Sequence, residues 1–76
     1  MELEIEDKLQ EIYKNLKIYV NFKDFRIYEI NVIINNEYIN YFDYTYHETL
    51  TLDANISIIR KIIDNNIILP YFRKEE

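Results

Sequence analysis

Hydrophobic residues recur with two different periods along this chain, and the changes of period divide it into helices and strands. Between about residues 4 and 15 they return every three or four positions, which is the spacing of one helical face. From residue 16 to residue 46 apolar and polar residues alternate, as they do in strands with one buried face. The helical period returns near residue 52 and ends at the Asn65-Asn66 pair. The pattern therefore predicts a helix, three strands and a second helix, in that order.

Short polar turns separate the predicted strands. The first strand, from residue 16, ends at a turn around Asp24, and a second strand follows at about residues 26–34. The third strand covers about residues 37–46. Between the last two strands lie Asn35 and Asn36. Because the chain contains no glycine, these asparagines are expected to adopt the positive φ angles of a two-residue hairpin turn.

The length of that hairpin turn decides which face each side chain of the third strand occupies. A two-residue turn pairs Ile34 with Glu37, and the alternation of side chains then fixes the rest of the strand. In this register Tyr38, Phe42 and Tyr44 lie on the sheet face that the helices leave open, together with Tyr19 and Ile33. Ile39 and Tyr41 then lie on the face that meets the helices. We therefore expect an outer face that is unusually aromatic.

These elements predict an α+β fold in the order αβββα, with residues 1–76 forming a single domain. Two helices would pack on one face of a three- or four-stranded antiparallel sheet. The fourth strand, or an extended arm in its place, would be residues 67–72, which are rich in β-branched and aromatic residues. Pro70 would restrict that strand to an edge of the sheet, and residues 73–76 are expected to fray.

The charge of the chain narrows the choice of partner. Its formal net charge is −5, so phosphate backbones repel it and basic protein surfaces attract it. We expect no direct binding to nucleic acid. The chain has no cysteine, which fits a reducing, cytoplasmic setting. No apolar run approaches the roughly 20 residues of a membrane helix, and the acidic N-terminal segment is unlike a signal peptide.

Residue types that carry catalysis are scarce and scattered. His47 is the only histidine, which leaves no second nitrogen or sulfur ligand for a metal site. Ser57 is the only serine, and it lies in the second predicted helix without the sharp turn that activates a nucleophile. The lack of glycine also removes the loops that cradle phosphates. We expect no catalytic residue, no metal and no cofactor.

Two surfaces are candidates for binding another protein. The first is a polar and acidic rim on the first helix and at the predicted turns, where carboxylates and amides could engage arginine and lysine side chains. Its members are Glu2, Glu4, Glu6, Asp7 and Glu11 on the helix, and Asp24, Asn35, Asn36 and Glu37 at the turns. The second is the aromatic outer face, because tyrosine is enriched among the residues that contribute most to binding. Its members include Tyr38, Phe42 and Tyr44.

Four segments and one pair of residues together form a pattern that can be compared with known protein families. Residues 5–12 would be an opening helix, residues 17–21 a first strand, residues 27–36 an Asn-rich strand and turn, and residues 54–65 a later helix. The pair Glu37-Tyr38 comes directly after the asparagines. This pattern resembles a small acidic phage family of anti-CRISPR proteins that inhibit type II-A effector nucleases. The chain lacks the Asp-Gly of that family's hairpin and the acidic run after its helix.

The resemblance implies a mode of action. In that family the hairpin and neighbouring acidic residues mimic the short DNA motif that the effector reads, and they occupy the arginines that would read it. Carried over to this chain, Asn35, Asn36 and Glu37 would lie at the contact surface, together with Asp24.

We therefore expect a non-enzymatic inhibitor, encoded by a phage or another mobile element and acting in the cytoplasm of a host cell. Its partner would be a basic nucleic-acid-binding protein such as a CRISPR effector. Two alternatives remain open. The chain could be an assembly module that forms a homodimer through a tyrosine-rich sheet face, or an antitoxin or immunity protein that neutralises a small toxin.

Overall fold

A computed structural model of the chain describes residues 1–73, and their elements follow the predicted α+β order. The strands form one antiparallel sheet in the order β1-β2-β3, so β2 is central and β1 and β3 are its edges. A π-helical turn at Asp64–Ile68 links the last two helices. The helices and strands are α1 (Glu2–Ile12), β1 (Leu16–Asp24), β2 (Ile27–Ile34), β3 (Tyr38–Thr45), α2 (Leu52–Ile63) and α3 (Leu69–Arg73).

The core lies between the sheet and the helices. Side chains alternate along a strand, and in every strand the buried residues are the even-numbered ones. They pack with residues from both α1 and α2, so the two helices lie on the same face of the sheet, as predicted. The buried apolar residues are Ile5, Leu9, Ile18, Val20, Tyr28, Ile30, Val32, Ile34, Tyr44, Ile56, Ile59, Ile63 and Ile67.

The hairpin between β2 and β3 has a three-residue turn, which the sequence analysis did not predict. Asn35 and Asn36 do adopt positive φ angles, of 54° and 59°. However, the first paired residues are Ile34 and Tyr38, and Glu37 belongs to the turn. Its N–H donates to the Ile34 carbonyl at 3.2 Å. The expected pairing of Ile34 with Glu37 was therefore wrong by one residue, and a shift of one residue moves every side chain of β3 to the other face.

The prediction that Tyr38, Phe42 and Tyr44 lie on the open face was wrong for this reason. All three face the helices. Tyr44 is only 4% exposed, and the other two are half-buried against the core. The physical reason is visible at Asp43, which the expected register would have turned toward the core. Burying an unpaired carboxylate is costly, and the observed register instead leaves Asp43 exposed, beside Lys23.

The C-terminal segment is helical, and the expectation of an extended arm or a fourth strand was wrong. Helix α2 continues directly into the π-helical turn, which contains Asn65 and Asn66 and in which the Leu69 N–H donates to the Asp64 carbonyl five residues earlier. Pro70 is the second residue of α3, a first-turn position where a missing N–H is tolerated. Burial of Ile67, 2% exposed, ties this segment to the core. Arg73 ends α3, and the expected fraying of residues 74–76 lies outside the described residues.

None of the helices within residues 1–73 combines the length and the apolar character that crossing a membrane requires.

Helix α1 covers the outer edge of β1 with a regular set of hydrogen bonds. Backbone N–H groups of β1 donate to side-chain oxygens of α1 at 2.7–3.1 Å. Acceptors four residues apart on a helix are about 6 Å apart, and donors two residues apart on a strand are about 6.6 Å apart, so the two repeats match. The pairs are Phe22 with Glu2, Val20 with Glu6, and Ile18 with Gln10.

A second contact joins the end of α1 to the end of α2. The Tyr13 hydroxyl donates to Asp64 Oδ1 at 2.6 Å and lies 3.4 Å from the Arg60 carbonyl. Burial of the ring, followed by the nearby Asp64 carboxylate, raises the pKa of Tyr13 to about 12 from an ordinary 10.0.

Glu6→Ala should destabilise the fold, because it leaves the Val20 N–H at the edge of the sheet without its acceptor. We expect a loss of about 1–2 kcal/mol in the free energy of unfolding, measured by urea denaturation. Glu6→Gln keeps an acceptor oxygen and should lose less. Glu4→Ala, on the exposed side of the same helix, is the control and should change stability by less than about 0.5 kcal/mol. Equal losses for Glu6→Ala and Glu4→Ala would contradict a role for this edge contact.

Tyr13 should make stability depend on pH in the alkaline range. Below pH 10 the hydroxyl keeps its proton in both the folded and the unfolded state. Between pH 10 and about 12 the unfolded state loses this proton first, so the free energy of unfolding falls as the pH rises. Thermal unfolding followed by circular dichroism should show a smaller fall for Tyr13→Phe than for the wild type. Tyr19→Phe, at an exposed position, should retain the wild-type slope; a Tyr13→Phe profile parallel to the wild type would refute the assignment.

Candidate protein-binding surface

The face of the sheet that turns away from α1 and α2 carries no other element of the described chain. We call it the open face. It is formed by the odd-numbered residues of the three strands, which are half-buried in β2 and exposed in β1 and β3. These residues are Lys17, Tyr19, Asn21, Lys23, Ile27, Glu29, Asn31, Ile33, Ile39, Tyr41, Asp43 and Thr45.

The centre of the open face is apolar and aromatic. Ile33 and Ile39 are directly opposite each other on β2 and β3. In the next row Tyr19 and Tyr41 flank Asn31 from the two edge strands. Tyr19 is 49% exposed, and Ile39 and Tyr41 are each 65% exposed. Scattered apolar residues are normal on a surface, whereas a contiguous group on one flat face is typical of a binding site.

The charges around this centre balance. The open face carries Lys17 and Lys23 against Glu29 and Asp43, whereas the whole chain has a net charge of −5. Lys23 Nζ lies 3.1 Å from Asp43 Oδ2 across the sheet. The hydrogen bond to the Asp43 carboxylate raises the pKa of Lys23 above its ordinary value. The open face is therefore a neutral surface on an acidic protein, and the excess of carboxylates lies elsewhere.

Several of those carboxylates serve the fold. Glu2 and Glu6 accept hydrogen bonds from β1, and Asp64 accepts one from Tyr13. Asp53 pairs with Lys8 at 3.2 Å between α2 and α1. A part of the acidity that the sequence analysis assigned to a binding surface is therefore engaged within the domain.

Three carboxylates remain on the solvent side of α1. Glu4, Asp7 and Glu11 are all exposed there. Glu4 lies 3.8 Å from the N-terminal amino group, and no ion pair forms at Asp7 or Glu11 within residues 1–73. These groups add negative potential at the β1 side of the molecule.

The structure separates the predicted acidic rim into two parts. Asp24 ends β1 at one end of the sheet, whereas Asn35, Asn36 and Glu37 form the turn at the opposite end. The eight residues of β2 lie between the two turns, a distance of about 27 Å. The expectation that Asp24 shares a surface with the hairpin was wrong, because successive turns of an antiparallel meander alternate between the two ends.

The hairpin end lies closer to lysine side chains than predicted, and α3 contacts it. Asn35 and Asn36 line a shallow depression together with Lys14 and Lys17. The Asn35 amide donates to the Tyr71 hydroxyl at 3.1 Å, so α3 covers part of this turn. Glu37 is exposed at the tip. The binding roles assigned to Asn35, Asn36 and Glu37 stay a prediction.

Tyr38 and Phe42 do not join this hairpin surface to the open face. The Tyr38 ring packs against Tyr71 of α3, with ring centroids 5.0 Å apart. Phe42 packs against the core on the side of the sheet where the helices lie. Tyr44 is buried, and its hydroxyl donates to Asn55 Oδ1 at 2.6 Å. The pKa of Tyr44 lies above its ordinary value, mainly because the side chain is buried.

The connection between β3 and α2 is organised around the side chain of Asn55, which is fully buried. Its Oδ1 accepts from the His47 N–H at 2.9 Å as well as from Tyr44. Its amide donates to the carbonyls of His47 and Thr51 at 3.0 and 2.9 Å. The Asn55-Ile56-Ser57 tripeptide matches a glycosylation acceptor in sequence, but this asparagine is inaccessible in the folded domain.

His47 and Ser57, the two residues of catalytic type that the sequence analysis weighed, lie apart. His47 is in the loop after β3, and its ring packs edge-on against Tyr44. Ser57 lies on the solvent side of α2, in a shallow open depression with Arg60, Lys61 and Asp64. Among residues 1–73 no three His, Cys, Asp or Glu side chains are arranged to hold a metal ion.

Comparison of the chain with models of protein families, with curated proteins and with solved structures finds no match. The inference of function therefore depends on the surface described above.

Two of the four residues of the apolar centre were predicted correctly from the sequence. The alternation assigned Tyr19 and Ile33 correctly to the open face, but it assigned Ile39 and Tyr41 to the core. The signal that would have found them is Asp43. Any register that buries Ile39 and Tyr41 also turns this carboxylate inward, because residues two apart on a strand share a face.

Proposed function

We propose that this protein is a small non-enzymatic inhibitor that binds another protein through the open face of its sheet. The observation that carries the proposal is the cluster of exposed Tyr19, Ile39 and Tyr41 with half-buried Ile33, on a face that no described element covers. Tyrosine and flat apolar area at the centre of a surface are typical of residues that dominate binding energy. The binding would desolvate this centre and leave the polar residues around it at the rim.

The favoured partner is a basic protein. The net charge of −5 gives the chain a negative field, and the exposed side of α1 adds Glu4, Asp7 and Glu11 to it. Charges of this kind accelerate encounter with a positive surface more than they strengthen the final complex. Exposed carboxylates therefore attract the partner, and the apolar centre of the open face binds it.

A CRISPR effector nuclease of type II-A is the most specific partner of this class that the sequence suggests. The resemblance to the acidic phage anti-CRISPR family supports it, as does the order of helices and strands in the domain. Such an effector holds nucleic acid in a positively charged channel. In this proposal the protein acts in the cytoplasm of the host cell and is encoded by a phage or mobile element. In this proposal the open face is the contact surface in place of the hairpin, because Tyr19, Ile39 and Tyr41 are exposed there.

Inhibition of DNA cleavage by a purified type II-A effector loaded with guide RNA tests this proposal. Wild-type protein should inhibit cleavage, and inhibition should weaken with added salt because exposed charges are screened over about 10 Å at 0.1 M. Tyr19→Lys should raise the concentration needed for half-inhibition at least about tenfold, since it places a charge in the apolar centre. Asn66→Lys adds the same charge at an exposed position of the π-helical turn and should act like the wild type.

Glu37→Lys distinguishes the open face from the hairpin. It reverses the charge at the tip of the turn and should change half-inhibition by less than about threefold, an effect on encounter alone. If Glu37→Lys abolishes inhibition and Tyr19→Lys does not, the hairpin is the contact surface and the assignment of binding to the open face is wrong. If wild-type protein leaves cleavage unchanged, the effector is not its partner.

A further inference from the structure

The two outer edges of the sheet differ in how their backbone groups are protected. On β1 the outward N–H groups of Ile18, Val20 and Phe22 donate to side chains of α1. An irregularity between Phe22 and Asp24 also interrupts the pairing of that strand. By contrast, β3 pairs with β2 without interruption. Within residues 1–73 no other element donates to or accepts from the outward backbone of β3.

The outward groups of β3 can be identified from the hydrogen bonds around it. The Tyr46 N–H donates to the Arg26 carbonyl, just before β2. The backbone groups of even-numbered residues therefore point toward β2. Tyr41 N–H donates to Asn40 Oδ1 at 2.8 Å instead of to β2. Because backbone groups of successive residues point in opposite directions along a strand, the odd-numbered residues point outward. They are Ile39, Tyr41, Asp43 and Thr45.

Little in β3 opposes pairing with another strand. Exposed edges are usually protected by proline, lysine, a bulge or a covering element. The sequence of Tyr38–Thr45 has neither proline nor lysine, and its single charge is Asp43. Side chains that could pack against an added strand flank the edge on both faces, with Tyr41 on the open face and Phe42 on the other. Among residues 1–73, the side chain of Asn40 is the only group that accepts a hydrogen bond from an outward N–H of β3.

We propose that two copies of this chain pair through their β3 edges, antiparallel and about a two-fold axis at Tyr41. The two three-stranded sheets then form one continuous sheet. In this register Tyr41 lies opposite Tyr41 of the second copy, and Ile39 lies opposite Asp43 of the second copy. Two-fold symmetry repeats each hydrogen bond, so the same strand supplies both halves of the interface.

Charge favours a second copy at this edge over other parts of the surface. Each chain carries −5, so two copies repel wherever their acidic surfaces meet. The acidic helix α1 lies along β1, at the opposite edge of the sheet. In the proposed register the two Asp43 residues are four positions apart along the strands, about 14 Å. That distance exceeds the screening length of about 10 Å at 0.1 M salt, so their repulsion is weak.

Pairing also enlarges the proposed binding surface. Three strands of eight residues present about 400 Å² on the open face. Stable protein interfaces bury about 800 Å² on each partner. Joining two sheets edge to edge aligns their open faces and brings the combined area to that value. The pairing does not need the heterologous partner proposed above, so either can fail without the other.

Sedimentation equilibrium of the purified protein, from micromolar to submillimolar concentration, tests the pairing. The mass should rise reversibly from 9.4 kDa toward twice that value. Ile39→Pro removes an outward N–H that β2 does not use, and it should raise the dissociation constant at least about tenfold. Ile39→Thr is the matched control. It shortens the same side chain but keeps the N–H, so its dimer should persist. Tyr19→Lys, on β1, should also leave the dimer intact while it impairs inhibition of the effector.

Amide hydrogen exchange of the wild type measures the same contact without relying on a variant that could fail to fold. The N–H groups of Ile39 and Asp43 should exchange more slowly as concentration rises. The N–H of Phe42, which points to β2, should not depend on concentration. A protein that stays monomeric throughout the range overturns the proposal. So does a dimer that survives Ile39→Pro but is lost in Tyr19→Lys, since that result assigns the contact to the open faces.

Discussion

The pairing of Ile34 with Tyr38 is the constraint on which the surface of this protein depends. It results from a three-residue turn in which two asparagines take positive φ angles in a chain without glycine. Because the side-chain period of a strand is two, that single register assigns every residue of β3 to one face or the other. It buries Tyr44 beside Asn55, and it exposes Ile39 and Tyr41. The core and the candidate binding surface are thus two consequences of one turn.

The helices stabilise this sheet in different ways. Helix α2 contributes apolar area, with Ile59 and Ile63 fully buried, and its Asn55 fixes the loop that follows β3. Helix α1 also contributes buried Ile5 and Leu9, but its polar side chains replace a missing strand along the edge of β1. Glutamates that contribute to the negative charge of the chain therefore have a structural role as well. Net charge read from a sequence does not show how many carboxylates are available to a partner.

The sequence predicted the fold well where one pattern dominated. The 3.6-residue period of α1 and the alternation in β1 and β2 each had a single interpretation, and the structure agrees with them. The register of β3 was less determined, since its even positions include Phe42 and Tyr44 while its odd positions include Ile39 and Tyr41. Asn35-Asn36 is compatible with two turn lengths, so the turn does not decide between these registers, whereas the cost of burying Asp43 does.

The prediction for residues 67–72 was wrong for a different reason. Its β-branched and aromatic residues favour a strand, and Pro70 is unfavourable inside a helix. Burial of Ile67 against the core and a π-helical turn just before Pro70 override both preferences. The local pattern contains neither influence, because each depends on where the end of α2 meets the rest of the molecule. The candidate surface was predicted in part for the same reason: its β1 and β2 residues follow from local alternation, and its β3 residues follow from a tertiary register.

Nitration of the folded, free protein with tetranitromethane, followed by peptide mass spectrometry, tests most directly which tyrosines this register presents. The account predicts rapid modification of Tyr41, which is 65% exposed, and protection of Tyr44, which is 4% exposed and bonded to Asn55. Rapid modification of Tyr44 with protection of Tyr41 would show that β3 pairs in the other register. The open face described here would then not exist.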